Sequence, residues 1–114
     1  MLEDKLDYLL NTREIDTMKD TEKKIKRIAD YYKVKHQEQK LVEELGELLI
    51  EISKNMIANK VTDNTASEIA DVIILLTQIV YLYDIEQEVY DKFIYKIDRE
   101  IKRILRRGNN NEKD

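Results

Sequence analysis

The sequence predicts an all-α protein, a single domain that resembles a four-helix bundle. Apolar residues recur at spacings of three and four along nearly the whole chain, which is the period of amphipathic helices. Pro is absent and Gly occurs twice, a composition that disfavours turn-rich β architectures. The 114 residues are enough to bury one core, and without Cys the chain has neither disulfides nor thiolate metal sites.

Three segments are predicted along the chain. Residues 1–19 form a turn or short helix over Leu2–Leu10, residues 20–107 form the helical domain, and residues 108–114 form a disordered tail that begins at a helix stop, Gly108. No secretory signal is recognisable, and the most apolar run, Ile69–Leu82, contains polar residues and is too short to span a bilayer. We therefore expect a soluble, cytoplasmic protein without a membrane partner.

Four helices are predicted inside the helical domain. Asp20 is a plausible N-cap for the first of them. A break at Lys33–His36 separates the first helix from the second, and the polar segment Ala58–Asn64 is the clearest loop. The predicted helices span about residues 20–32, 37–55, 65–84 and 85–107.

Acidic side chains in the second predicted helix lie beside its predicted core face. At about 100° per residue, Glu44, Glu47 and Glu51 form one polar stripe that adjoins an arc of Leu and Ile. We expect this arc to be the core face, made of Leu41, Leu45, Leu48, Leu49 and Ile52. A stripe that only solvates a helix points away from the core, so its position favours a function, with an ordinary solvated face as the alternative.

Two carboxylates in the third predicted helix lie in apolar surroundings. Glu68 and Asp71 share a face with Val72 and Leu75, and burying two like charges costs free energy unless a cation or a basic side chain compensates. Oxygen ligands without His or Cys suit hard ions such as Mg²⁺ or Mn²⁺. Two structural alternatives are open: Thr65-x-x-Glu68 is a capping box, and a basic core partner could neutralise Asp71.

Each of these helices presents a pair of carboxylates at i, i+3. The pairs are Glu44 with Glu47 and Glu68 with Asp71, and the spacing places both members about 5 to 6 Å apart at Cβ, close enough to share a metal ion. Gly46, inside the first pair, is predicted to leave room for another helix or a ligand. A di-iron carboxylate bundle is excluded because it needs Glu-x-x-His pairs, and the chain has one His.

The paired motifs resemble the all-α nucleoside triphosphate pyrophosphohydrolases, which include MazG-like proteins, dimeric dUTPases and dCTP pyrophosphatases. The resemblance covers about residues 20–107 and rests on Glu43-Glu44-x-x-Glu47, then 20 residues, then Glu68-x-x-Asp71. Gln37 precedes the first motif as in small MazG-like chains. Basic residues after the second motif resemble those that contact phosphates in the family: Lys96, Arg99 and Arg103.

The resemblance implies hydrolysis of a nucleoside triphosphate to the monophosphate and pyrophosphate, in nucleotide-pool cleansing or nucleotide regulation. It implies a homodimer or homotetramer and Mg²⁺, with Mn²⁺ as a substitute. The implied metal ligands are Glu44, Glu47, Glu68 and Asp71, and the candidate general bases are Glu47 and Glu43.

The resemblance also suggests which residues hold the substrate. Lys92, Lys96, Arg99 and Arg103 would hold the leaving pyrophosphate. Gln37 would contact the base or sugar, and His36 is either a second such contact or a plain loop residue.

The basic C-terminal helix leaves two non-catalytic functions open. Between residues 92 and 107 the chain has seven Lys and Arg against two acids, which indicates a solvated helix end or phosphate contacts to nucleic acid. The net charge of −4 and the lack of a known nucleic-acid motif argue against nucleic acid. The other possibility is a helical oligomer that binds a protein partner, because residues 69–83 are apolar nearly all round.

Overall fold

The computed structural model describes residues 16–113, with side chains for residues 19–110. This part of the chain contains three helices and no strand, which confirms the all-α class. The helices are α1 (Asp16–Ala58), α2 (Thr65–Leu82) and α3 (Glu86–Lys113). The predicted N-terminal turn or helix over Leu2–Leu10 lies outside the described residues.

The chain divides into two compact units. In the first unit, α1 and α2 pack against each other as an antiparallel hairpin, joined by the polar loop that was predicted between them. The second unit begins at Asp84 and contains α3. α2 ends at Leu82, two residues before the predicted end at residue 84, and the positive φ of Asp84, 56°, marks the turn that follows.

A kink at Lys33 divides α1 into two helical segments. Its φ of 70° and ψ of 172° are non-helical, so the break predicted at Lys33–His36 is found, although it is confined to one residue. His36, which was interpreted as a loop residue, therefore lies in the second helical segment. The first segment is tied to α2 by the hydroxyl of Tyr81, which donates to Asp30 Oδ1 at 2.9 Å.

Two predicted helix ends are wrong. α1 begins at Asp16, and Asp20 lies inside the helix, where it pairs with Lys24 at 3.1 Å instead of capping. α3 continues through Gly108 to Lys113, where a stop and a disordered tail were predicted. Gly108 does not have the positive φ with which glycine ends a helix, so the helical hydrogen bonding runs through it.

Polar residues of α1 face α2 at seven-residue spacing. Gln37, Glu44 and Glu51 are 3%, 7% and 7% exposed, and we call this set the polar seam. Residues seven apart stay on the same side of a helix that packs along a partner. The buried apolar contribution is small and comes from Ala29, Val72, Leu75 and Ile79.

The predicted core face of the second helix is only partly buried. Leu41 and Leu48, next to the polar seam, are half-buried. Leu45, Leu49 and Ile52 are 43%, 68% and 40% exposed, because the most buried positions of this helix belong to the polar seam. On α2 the expectation is met: Val72 and Leu75 are buried on the face that also carries Glu68 and Asp71.

By length and composition, α2 could cross a membrane. It has 18 residues with a mean hydropathy of 1.5, and 28% of the window is buried within the structure. The core helix of a soluble protein passes the same test, so this observation is weak evidence. The expected cytoplasmic location stays a prediction.

The kink gives a stability prediction. Lys33 occupies a backbone region that is otherwise almost confined to glycine and costs about 1 to 3 kcal/mol for other residues. We expect Lys33→Gly to raise the free energy of unfolding by about 1 kcal/mol, after the larger entropy loss of glycine is included. Lys35→Gly is the matched control and should lower it by about 1 kcal/mol, because Lys35 is helical. Urea denaturation measures both; equal losses would contradict the strain at Lys33.

Candidate metal centre

The polar seam forms three layers with α2 and the loop, and in the layer at the loop end the buried carboxylate of Glu51 has both a hydroxyl partner and Lys54, whose Nζ lies 3.9 Å away. Glu51 accepts a hydrogen bond from the hydroxyl of Thr62, which lies 2.8 Å from the hydroxyl of Thr65. The Asn55 amide donates to Thr65 at 2.9 Å and accepts from the backbone N–H of Thr62 at 3.0 Å. These bonds fix the loop and the start of α2.

The layer at the other end is a chain of amides. Gln37 Nε2 donates to Gln78 Oε1 at 2.6 Å, and Gln78 Nε2 donates to the backbone carbonyl of Ile25 at 3.1 Å. His36 Nδ1 lies 2.7 Å from Gln37 Oε1, which accepts its hydrogen. Gln78 is fully buried, so the hydrogen bonds of this layer are needed to offset its desolvation.

The middle layer brings carboxylates together. One oxygen from each of Glu44, Glu68 and Asp71 lies within 4.8 Å of the others. Asn64 Nδ2 donates to Glu68 Oε1 at 2.9 Å, and Lys40 Nζ lies 3.5 Å from Glu44 Oε1. The second oxygen of each glutamate, Glu44 Oε2 and Glu68 Oε2, is buried without a hydrogen-bond partner. An orphaned buried carboxylate oxygen is costly, so this layer lacks a cationic or donor partner that the other two layers have.

Glu47 lies next to this layer, although it is not one of the three residues within 4.8 Å. A hydrogen bond to Glu44 is the main cause of a raised pKa at Glu47, and the negative charges of Glu44 and Glu68 add to it. Lys40 opposes this effect. The carboxyl group of Glu47 therefore keeps its proton to a higher pH than an ordinary glutamate.

Lys40 compensates only part of the negative charge. It pairs with Glu43 at 3.6 Å and with Glu44 at 3.5 Å, and these two carboxylates raise the pKa of Lys40. The basic partner that was considered for Asp71 is absent among the described residues, since no ion pair reaches Asp71 there. One ammonium group thus faces several carboxylates, and it reaches neither orphaned oxygen.

Two further expectations about this region are corrected. Asn64, not Thr65, is the N-cap of α2, so Thr65 and Glu68 do not form a capping box, and the Thr65 hydroxyl bonds to the loop instead. A Cβ atom placed on Gly46 would meet nothing within 4 Å among the described residues. The predicted close approach of another helix or ligand at Gly46 is therefore not found.

A groove begins at the carboxylates and runs along α1 and α2. The rings of Tyr32 and His36 stack at its far end, with centroids 4.3 Å apart and planes 14° from parallel. The other lining residues combine aliphatic, amide and charged side chains: Ile28, Gln37, Lys40, Glu44, Asp71, Ile74, Leu75 and Gln78. The groove thus joins flat aromatic and apolar surface to a cluster of negative charge.

The structure brings some of the predicted site residues together and leaves others outside the cluster. The structure brings together Glu44, Glu68 and Asp71, with Glu47 beside them, and it places Gln37 in the groove. Glu43 is exposed and pairs with Lys40. The predicted phosphate contacts lie on α3, in the second unit, and their part in the site stays a prediction: Lys92, Lys96, Arg99 and Arg103.

Sequence reasoning missed the parts of the site played by Tyr32, Lys40 and Gln78. Spacing could have revealed Gln78. Gln37 and Glu44 are seven residues apart on α1, and Asp71 and Gln78 are seven residues apart on α2. In an antiparallel pair, Glu44 opposite Asp71 therefore places Gln37 opposite Gln78. No comparable pattern singles out Tyr32.

Comparisons of the chain with family models, curated proteins and solved structures find no significant match. The resemblance to all-α pyrophosphohydrolases therefore rests on the two motifs, and any function is a proposal from the site.

The raised pKa of Glu47 gives a pH prediction. Above pH 4.5, its ordinary pKa, the folded protein without metal binds more protons at Glu47 than the unfolded chain does. The free energy of unfolding should therefore fall as pH rises from 4.5 through the raised pKa. We expect Glu47→Gln to remove this part of the fall and Glu43→Gln to keep it, because Glu43 is not among the groups that raise the pKa. Urea denaturation from about pH 4 to about pH 8 tests this; the same slope in Glu47→Gln would contradict it.

Proposed function

We propose that the chain is a metal-dependent nucleoside triphosphate pyrophosphohydrolase, which converts a nucleoside triphosphate and water to the monophosphate and pyrophosphate. The observation that carries the proposal is the pair of orphaned oxygens, Glu44 Oε2 and Glu68 Oε2, in the middle of a polar interface. In the layers on both sides the buried side chains have partners: Gln37 bonds to Gln78, and Glu51 has the Thr62 hydroxyl and the Lys54 ammonium, 3.9 Å away. In the middle layer three carboxylates lie together and two of their oxygens have no partner, which is the excess negative charge that a cation would balance.

The donor set fits a hard divalent cation. Glu44, Glu68 and Asp71 offer carboxylate oxygens within 4.8 Å of one another, and Glu47 adds a fourth carboxylate beside them. Ligands of this kind, without His or Cys, suit Mg²⁺, with Mn²⁺ as a substitute. We therefore assign these four residues as the metal ligands.

The residues of the chain have separate tasks in this proposal. When bound, Mg²⁺ supplies charge neutralisation for the triphosphate and lowers the pKa of a water molecule. Glu47, beside the carboxylate cluster, is the candidate to accept a proton from that water, and Glu43 is the second candidate for this task. Lys40, between Glu43 and Glu44, supplies a positive charge at the end of the carboxylate cluster.

The groove supports the nucleotide as the substrate class. A nucleobase is flat and apolar on its faces, which matches the stacked rings of Tyr32 and His36 together with the aliphatic side chains of the groove. Gln37 and Gln78 add amides that can hydrogen-bond a base or a sugar. The groove ends at Glu44 and Asp71, where the phosphates would meet the metal ions.

Two further parts of the proposal come from the sequence. Lys92, Lys96, Arg99 and Arg103 share one face of α3 and would hold the leaving pyrophosphate. We also propose that the protein is a homodimer or homotetramer, as the resemblance implies, acting in nucleotide-pool cleansing or nucleotide regulation.

Metal binding is expected to raise the free energy of unfolding of the protein in the absence of substrate. Mg²⁺ at about ten times its dissociation constant should raise the free energy of unfolding by about 1.4 kcal/mol. Glu44→Gln should remove this gain and should stabilise the metal-free protein, because the new amide can donate to the neighbouring carboxylates. Glu51→Gln is the matched control, as Glu51 lies seven residues away with the same 7% exposure, and should keep the gain. Urea denaturation with and without Mg²⁺ measures each; no gain in the wild type would contradict the metal site.

Activity is tested with a panel of canonical and modified deoxynucleoside triphosphates and Mg²⁺, with the products separated and identified. At least one should give the monophosphate and pyrophosphate. Glu44→Gln and Asp71→Asn should each lower kcat/KM by about a hundredfold or more, whereas Glu51→Gln should stay close to the wild type. Orthophosphate as the sole phosphorus product, or full turnover in Asp71→Asn, would overturn the proposal.

A further inference from the structure

The chain of amides at one end of the polar seam has a direction that is fixed by its last acceptor. Gln78 Nε2 lies 3.1 Å from the backbone carbonyl oxygen of Ile25, which has only lone pairs to offer. Gln78 therefore presents its amide nitrogen to Ile25 and its oxygen to Gln37. Gln37 in turn presents its nitrogen to that oxygen, at 2.6 Å, and its own oxygen to His36, because two amide oxygens at this distance would repel.

This direction fixes the tautomer of His36. Its Nδ1 lies 2.7 Å from Gln37 Oε1, and an oxygen that only accepts requires a hydrogen on Nδ1. A neutral imidazole has one N–H, so Nε2 is left with a lone pair and is a hydrogen-bond acceptor. Among the described residues no hydrogen bond uses Nε2, and His36 is an exposed residue that lines the groove.

The imidazole of His36 is held in place before a ligand arrives. The ring of Tyr32 stacks on it with the centroids 4.3 Å apart, and the bond from Nδ1 to Gln37 fixes the rotation of the ring. Gln37 is buried and is itself bonded to Gln78, which is fully buried. An acceptor that is fixed in this way loses little side-chain entropy when a ligand binds.

We propose that His36 is a specificity-determining residue of the groove, and that Nε2 is a fixed acceptor which selects a nucleoside with an N–H or O–H donor at this position. The class of ligand rests on the proposed function, whereas the tautomer follows from the hydrogen bonds alone. The donor belongs either to the base, as an amino group or a ring N–H, or to the sugar, as a hydroxyl. A nucleoside without this donor binds less tightly, because it takes Nε2 out of water without giving it a partner.

The tautomer is tested by NMR of the isotope-labelled full chain without metal or nucleotide. The chain has one His, so its two ring nitrogens give unambiguous signals in a long-range proton–nitrogen correlation spectrum. At about pH 8.5, where an imidazole is neutral, the protonated nitrogen should be Nδ1. Gln37→Leu removes the acceptor and should shift both signals towards the tautomer mixture of a free imidazole. A wild type in which Nε2 carries the hydrogen would overturn the inference.

The selection is tested by calorimetric titration of the wild type and of His36→Phe, which keeps a ring against Tyr32 and removes the acceptor. The probes are α,β-methylene nucleoside triphosphates with Mg²⁺, which resist the proposed hydrolysis. For the tightest-binding base, analogues lack one donor each: an amino group replaced by hydrogen, a ring N–H replaced by N-methyl, or a missing sugar hydroxyl. Loss of one of these donors should weaken binding to the wild type about tenfold and leave binding to His36→Phe unchanged, which identifies base or sugar as the source.

Tyr31→Phe is the control for the titrations. Tyr31 packs edge-on against Tyr32 and is not one of the residues that line the groove, so this variant should bind every analogue as the wild type does. If the wild type and His36→Phe discriminate among the analogues alike, His36 does not select the ligand, and this inference is wrong while the proposed function stands. If the wild type binds none of the parent nucleotides, the proposed function and this inference are both wrong.

Discussion

The hairpin depends on polar and charged side chains that are buried between two helices. The end layers, at Gln37 with Gln78 and at Glu51 with Thr62, are closed by hydrogen bonds and set the register of α1 against α2. Because the helices are held on both sides, the carboxylates of the middle layer cannot separate to relieve their repulsion. The register of the hairpin is therefore what keeps the negative charge concentrated.

The cluster and the groove are consequences of this same register. The face of α1 that carries the polar seam also carries His36 and Lys40, so a ring surface, amides and carboxylates follow one another along a single helix face. Apolar burial contributes little on this face: among the described residues of α1, Ala29 is the one apolar side chain that is fully buried. Leu41 and Leu48 are half-buried beside the polar seam, so the interface is mainly polar with apolar edges.

Much of this arrangement could be predicted from the sequence. The all-α class, the break at Lys33 and the start of α2 at Thr65 follow from periodicity and from local turn residues. The i, i+3 spacing pairs Glu68 with Asp71, and both lie in the carboxylate cluster with Glu44. The inward face of α1 is only partly predictable in this way, because hydrophobicity favours the leucine arc, whereas the most buried positions belong to the seven-residue polar repeat. The orphaned oxygens depend on side-chain rotamers and on burial, which no spacing encodes.

The kink at Lys33 lies within the part of α1 that lines the groove. Ile28 and Tyr32 belong to the first segment of α1, and His36 and Glu44 belong to the second. The first segment is held to α2 through Asp30 and through the carbonyl of Ile25. Because the stacked rings of Tyr32 and His36 come from opposite sides of the kink, the flat surface at this end of the groove depends on the backbone angles of Lys33.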